Sequence, residues 1–419
     1  MKRSRLAWVA PIAAVSLIAL AGCSGGSGGT SSADSAASKK LTVWVMGDSS
    51  AHFDSLVKPF TTDTGITVET VAIPWDSIDQ KFTTAVASGN GPDLIQIGVS
   101  KLRTFADSGA LLPLDDATLK DYPNLSASNF IDGVAGKATA VGGKVVSVPW
   151  VSDTRVLFTR TDILAENGIS TPPTTWDEVR TDAKKLAARG TGKYGYYIPQ
   201  WDSALPVIMT WDQGGTVVNS QGNIDFNTPE FNKAVDTYTG LYADKSVPTN
   251  ADFDQTQGFT SGTAPMLVSG PYLAAAIDQA APALKGKWTV SPIPGADKAT
   301  SLLAGSNMGV WKSTANKAGA LKLLDFLSKP ATQVSWYKLD GQLPTAKKAL
   351  SDSTLTSDPM VAVYSKQLSD AKLLPLVPNW DGDTGKKLLD SLNSIVLTGA
   401  NRTSTLQTLF DATSSASVN

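Results

Sequence analysis

The sequence predicts an α/β fold built on a mainly parallel sheet with helices on both faces. An apolar, β-rich run at residues 41–46 is followed by apolar residues at helical spacing, and strand-like and helix-like stretches go on alternating up to residue 97. The body from about Lys39 to Asn419 is long enough for two domains of ordinary size. Its composition, 42% hydrophobic and 18% charged over the full chain, is that of a globular protein.

The first strand ends at Gly47-Asp48, after which Phe53, Leu56, Val57 and Phe60 recur at helical spacing. Pro59 inside that run conflicts with an unbroken helix and predicts a kink or break. Gly65 predicts a left-handed helix cap, and residues 66–71 alternate as a second strand. Ile78, Phe82, Ala85 and Val86 mark another helix, closed by Gly89-Asn90-Gly91-Pro92, and residues 93–97 form a short third strand. Further on, Thr175 with Glu178 makes a capping box, and Thr228 with Pro229 supplies an N-cap and a first helical residue. Ligands of such sheets sit beyond the carboxyl ends of the strands, so Gly47-Asp48 and Gly98-Val99-Ser100 should face one crevice. Trp176, Trp311 and Trp336, among apolar neighbours, read as core.

The N-terminus sets the compartment. Lys2, Arg3 and Arg5 precede an apolar stretch at residues 6–20 that is too short and wrongly flanked for a stable membrane span, which makes a secretion signal. The leader closes on Leu20-Ala21-Gly22-Cys23, which resembles the lipobox of bacterial lipoproteins. That resemblance implies cleavage after residue 22 and a diacylglyceryl group on Cys23. Cys23 is the sole cysteine, so a disulfide is excluded. Residues 24–38, nearly all Ser, Gly and Ala, bury too little to fold and read as a flexible tether.

Composition excludes several classes. Loss of the three leader cations takes the formal charge from −2 to −5, and no basic run follows Lys39-Lys40, so nucleic acid is not an expected partner. A single histidine, His52, leaves no cluster for zinc and no Cys/His dyad, so neither a metal nor a cofactor is expected. His52 reads as a surface or helix-start residue.

A set of segments in fixed order carries a more specific reading. It comprises Phe60-Thr61-Thr62-Asp63-Thr64-Gly65-Ile66-Thr67-Val68, then Ser88-Gly89-Asn90-Gly91-Pro92-Asp93-Leu94, then residues 102–114 (LRTFADSGALLPL). Val148-Pro149-Trp150, Pro172-Pro173-Thr174-Thr175-Trp176-Asp177-Glu178, residues 259–266 (FTSGTAPM) and Ser269-Gly270-Pro271-Tyr272 continue it. In this order, from Leu41 to about Leu409, the body resembles the carbohydrate-binding lipoproteins of ABC importers, extracellular solute-binding protein family 1, similar to maltose-binding protein.

The resemblance implies a two-lobed periplasmic-binding-protein fold with the ligand cleft between lobes. Residues 39–150 and 296–340 would form the first lobe, and 151–295 and 341–419 the second. It implies capture by lobe closure, with no bond chemistry, and delivery to permease subunits served by a cytoplasmic ATPase. The expected protein is a monomer, held by its lipid on the extracytoplasmic face of the bacterial membrane.

A sugar offers hydroxyls at its rim and C–H patches on its faces, so its site needs flat aromatic side chains and bidentate polar ones. Carried over position by position, the resemblance places Asp48 and Ser100 in the cleft from the first lobe. Trp150, Ser152, Asp153 and Arg155 lie at the first crossing, where Trp150 either meets ligand or packs the hinge, and Arg155 either meets ligand or pairs with Asp153. Trp201-Asp202 and Tyr272 supply aromatic contacts, and Asn307, Trp380 and Asp381 border the cleft. Tyr272 stands where maltose-binding protein has a tryptophan, a departure that bears on maltose rather than on sugars in general. Other readings are a receptor for another polar solute, such as a polyol, glycerol phosphate or an opine, and a secreted glycoside hydrolase, which needs two carboxyls about 5 to 9.5 Å apart. An adhesin would have no buried cleft.

Overall fold

A computed structural model describes residues 39–295 and 299–418. The expected leader, Cys23 and the tether lie outside the described residues, as does the expected boundary at residue 296.

The first lobe is built on a six-stranded sheet. Strand β1 (Lys40–Met46) lies between β2 (Thr67–Ile73) and β3 (Leu94–Gly98) and pairs parallel with both. Its side chains alternate between two cores. Leu41, Val43 and Val45 pack with Phe53, Phe60, Trp150 and Trp336, whereas Trp44 and Met46 join Ile95, Ile97, Phe82, Phe105 and Trp311 on the other face. The helical run after β1 breaks at Val57 into α1 (Ser50–Leu56) and α2 (Lys58–Thr64). Pro59 falls in the first turn of α2, where its missing N–H has no helical partner to lose. Gly65 and Gly89, after α2 and α3 (Ile78–Ser88), take the left-handed conformation at φ 69° and 71°.

β4 (Val148–Asp153) belongs to this sheet, and two residues later β5 (Val156–Thr159) starts the sheet of the second lobe. There β5 pairs antiparallel with β6 (Met266–Ser269) and β7 (Thr289–Ser291). Leu157, Met266 and Val268 pack on one face, and Val156, Phe158, Leu267 and Val290 on the other. The chain returns as β8 (Ala304–Val310), antiparallel to β3 and β4 between which it lies, and β9 (Leu343–Pro344) pairs antiparallel with β4 on the far side.

The α/β, two-lobed expectation holds, with one correction: instead of mainly parallel sheets, the first-lobe sheet is mixed and the second-lobe sheet is antiparallel. In the six-stranded sheet parallel pairing is confined to β2, β1 and β3, because β8 brings the chain back from the second lobe and so runs against β4, on which it left. The lobes are thus joined near residues 153–156, 300–304 and 341–346, with β4 flanked by β8 and β9. At Gly305 (φ 116°) an added Cβ would lie 2.1 Å from the Val151 carbonyl oxygen, so the close approach of β8 to β4 requires glycine.

Helix α4 (Trp176–Ala187) carries the expected capping box: Thr175 Oγ1 accepts from Glu178 N, and Glu178 accepts from Thr175 N. Thr175→Ala is expected to cost about 1 kcal/mol, read as a lower urea midpoint at unchanged slope. Thr228 likewise accepts from Phe231 N at the start of α5 (Pro229–Ala243). Among the described residues no helix is long and apolar enough to cross a membrane.

Candidate functional site

A cleft of about 740 Å³ opens between the lobes, within the range of about 300–1,000 Å³ common for small-molecule sites. The first lobe lines it from the ends of its three parallel strands: Gly47 and Asp48 after β1, Trp75 after β2, and Gly98, Val99 and Ser100 after β3. Ser152, Asp153, Arg155, Gly305 and Ser306 line it at the crossings, and Trp201, Asp202, Gln255, Tyr272 and Asp381 from the second lobe.

Trp75, Trp201 and Tyr272 are the exposed large aromatics among the described residues, at 49%, 59% and 37%, and all three lie in this cleft. The other aromatics among the described residues are at least partly buried, so these three are available for a ligand's flat faces. Trp75 has a built seat. An added Cβ would come within 3.1 Å of its ring at Gly98 and 3.4 Å at Gly47. The indole therefore lies across bare backbone at the ends of β1 and β3. The sequence reading missed Trp75, although Pro74-Trp75 directly follows the second parallel strand, and the strand-end argument applied there would have found it.

At the crossing, the buried Arg155 donates from Nη1 to Asp153 Oδ2 at 2.8 Å, and its Nε lies 3.6 Å from Asp202 Oδ2. Its guanidinium sits 5.6 Å from the centre of the Tyr272 ring. Burial pulls the Arg155 pKa down, but Asp153, Tyr272 and Asp202 outweigh it, so the guanidinium stays charged. Burial pushes the Asp153 carboxyl up, against the opposing pull of Arg155. Asp153 Oδ1 and Arg155 Nε are buried without a hydrogen-bond partner in the protein, so the crossing holds polar atoms that its own packing does not satisfy. Gly270 makes this packing possible, because a Cβ there would stand 2.6 Å from Asp153 Oδ1 and 2.7 Å from both Arg155 Nη1 and the Tyr272 ring.

The remaining expected residues divide. Asp48 is exposed and lines the cleft. Ser152 lines it too, but its hydroxyl donates to the Pro344 carbonyl at 2.9 Å. Ser100 Oγ donates to Asp381 Oδ2 at 2.8 Å, from one lobe to the other. Three expected residues do not reach the cleft. Trp150 is buried against Phe53 and Trp336 in the first-lobe core, which turns it away from the cleft. Asn307 points to the opposite side of β8 from Ser306 and donates to the Ala138 carbonyl and to Ser147 Oγ. Trp380 is fully buried in the second lobe, with its indole N–H on Ser203 Oγ at 3.0 Å. Besides Trp75, sequence reasoning missed Gln96 and Ser306, which line the cleft as a hydrogen-bonded pair at 2.7 Å, with Met46 N donating to Gln96 Oε1. Gln96 lies inside an apolar strand, where a lone polar residue was the available signal. Among the described residues no group of His, Cys, Asp and Glu could hold a metal ion.

Two lobes joined by adjacent strands, with aromatic faces and unsatisfied polar atoms between them, define a binding protein that encloses a small polar solute. The chain belongs to the bacterial extracellular solute-binding protein family, whose model matches residues 46–334. It is 28% identical over 357 residues to the diacetylchitobiose binding protein DasA of Streptomyces coelicolor, spanning 82% of this chain and 81% of that one. It is 27% identical over 340 residues to a putative binding protein of Brucella abortus, spanning 79% and 81%. Among solved structures, the sugar-binding protein MalE of Xanthomonas citri superposes with a TM-score of 0.80 at 24% identity, covering 90% of this chain and 96% of that one.

Proposed function

We propose that this protein is a lipid-anchored receptor that captures a sugar, in particular an oligosaccharide, by lobe closure and delivers it to the permease of an ABC importer. The observation that carries this reading is the convergence of Trp75, Trp201 and Tyr272 on one cleft beside Asp48, Asp153, Arg155 and Asp202. Aromatic faces take the C–H surfaces of pyranose rings, and carboxylates and a guanidinium take their hydroxyls. Several aromatic faces on two lobes suit more than one ring. The S. coelicolor relative's disaccharide ligand supports the same class. Anchoring through Cys23 follows from the Leu20-Ala21-Gly22-Cys23 leader end, and the body then works outside the membrane as a monomer with no catalytic step.

A glycerol phosphate or other anionic solute suits this cleft less well. Its lining charges are four carboxylates (Asp48, Asp153, Asp202 and Asp381) against Arg155, which Asp153 and Asp202 already face. The test is a thermal-shift screen against mono- and oligosaccharides, polyols and glycerol phosphates. A ligand at about 100 times its dissociation constant adds about 2.7 kcal/mol of stability. A selective shift with an oligosaccharide is expected. A shift with a non-sugar solute and with no sugar would overturn the carbohydrate assignment, and release of a cleaved glycoside would overturn the receptor reading.

A further inference from the structure

The lobes touch each other directly across the rim of the cleft. Asp381 Oδ2 accepts from Ser100 Oγ at 2.8 Å and lies 3.4 Å from Lys101 Nζ. Two residues earlier, the backbone N–H of Asn379 donates to Thr104 Oγ1 at 3.1 Å. Ser100, Lys101 and Thr104 all follow β3 in the first lobe. Asn379 and Asp381 flank Trp380, which is locked in the second-lobe core.

We propose that Asp381 is a positioning residue for closure: it holds the two lobes together whatever the ligand, instead of recognising one. The proposal rests on the reading of the cleft as a site that captures by closing. Both ends of the contact are set within their own lobes. Lys101 is seated by Asp79 at 2.7 Å, and its side chain is largely buried. Asp381 is carried by the turn that Trp380 anchors. The oxygen of Asp381 that faces the first lobe is already engaged by a hydroxyl and an ammonium, and nearby Asp383 is paired with Lys387 at 2.8 Å, so the charge of Lys101 falls to Asp381 and Asp79. This geometry biases the balance between open and closed forms, and any ligand that binds the closed form inherits the bias.

The test uses the full chain carrying Cys23→Ser, with spin labels on Lys120→Cys and Lys233→Cys, exposed positions of the first and second lobe. Interlobe distances are measured without ligand, with and without Asp381→Ala, Lys101→Met or both. The ratio of closed to open molecules is expected to fall roughly three- to tenfold in Asp381→Ala, the range for one partly exposed ion pair with a hydrogen bond, less in Lys101→Met, which keeps the Ser100 hydrogen bond, and little further in the double variant than in Asp381→Ala. Dissociation constants should then rise in inverse proportion to the measured closed fraction, by one factor common to every sugar that binds. Ligand-free distances unchanged by Asp381→Ala would overturn the proposal, and so would affinity losses that differ from sugar to sugar, the mark of a direct contact. If no sugar binds but the ligand-free ratio shifts as stated, the closure role stands and the carbohydrate reading falls.

Discussion

Trp75→Ala and Trp201→Ala are each expected to weaken oligosaccharide binding about 30-fold while leaving the unfolding midpoint of the ligand-free protein in place. The size follows from covering an indole face with a sugar ring, which removes enough apolar surface from water for about 2 kcal/mol. Stability should be spared because both side chains are about half exposed and the hydrophobic cores do not include them. Trp75 is the sharper case, since Gly47 and Gly98 clear the backbone beneath its ring and fix one face, leaving the other for ligand. Tyr272→Ala should act on binding as well, but it also removes the hydroxyl that accepts from Ser269 Oγ at 3.1 Å and the ring beside Arg155, so some loss of stability accompanies it. Calorimetric titration of each variant reads the effect. Unchanged affinity in both Trp75→Ala and Trp201→Ala would remove the central site assignment.

Arg155→Met should destabilise the protein by about 3–5 kcal/mol, because it leaves Asp153 and Asp202 at the hinge without their counter-charge. The Asp153→Asn/Arg155→Met double variant should recover part of the loss, since Asp202 alone is then left without its counter-charge. The deficit of the single variant should also depend on pH. Burial already pushes the Asp153 carboxyl up, and without the guanidinium it rises further. A carboxyl whose folded value lies above its unfolded one favours the fold most below the ordinary carboxylate range, and that contribution is lost as pH rises through the folded value. Urea unfolding should therefore find Arg155→Met nearer to wild type at pH 4 than at pH 8. A deficit below about 1 kcal/mol, or one that does not change with pH, would mean that the pair is solvated and does not anchor the crossing.

The sequence carried most of the first lobe because its signals are local. Pro59 announced the break at Val57, Gly65 and Gly89 their left-handed caps, and Thr175-Glu178 its capping box. Strand direction was less legible, since it depends on which chain segment returns beside which, and β8 comes back from about 150 residues away. The site residues divided on side-chain direction. Trp380 and Asp381 are adjacent, yet one fills the core and the other reaches the rim. Ser306 and Asn307 are likewise adjacent on one strand and face opposite ways, and a motif gives position along the chain without saying which way a side chain turns. Trp75 stands at a strand end where the same argument could have placed it in the cleft, but its seat was not legible, because the two glycines that form it lie 28 and 23 residues away in the chain.

The most direct measurement of the central claim is a crystal structure of the protein with the oligosaccharide selected by the thermal-shift screen. Sugar rings lying against Trp75, Trp201 and Tyr272, with hydroxyls on the polar side chains that line the cleft beside them, are the predicted result. A sugar bound outside this cleft, or within it but clear of all three aromatic faces, would contradict the account.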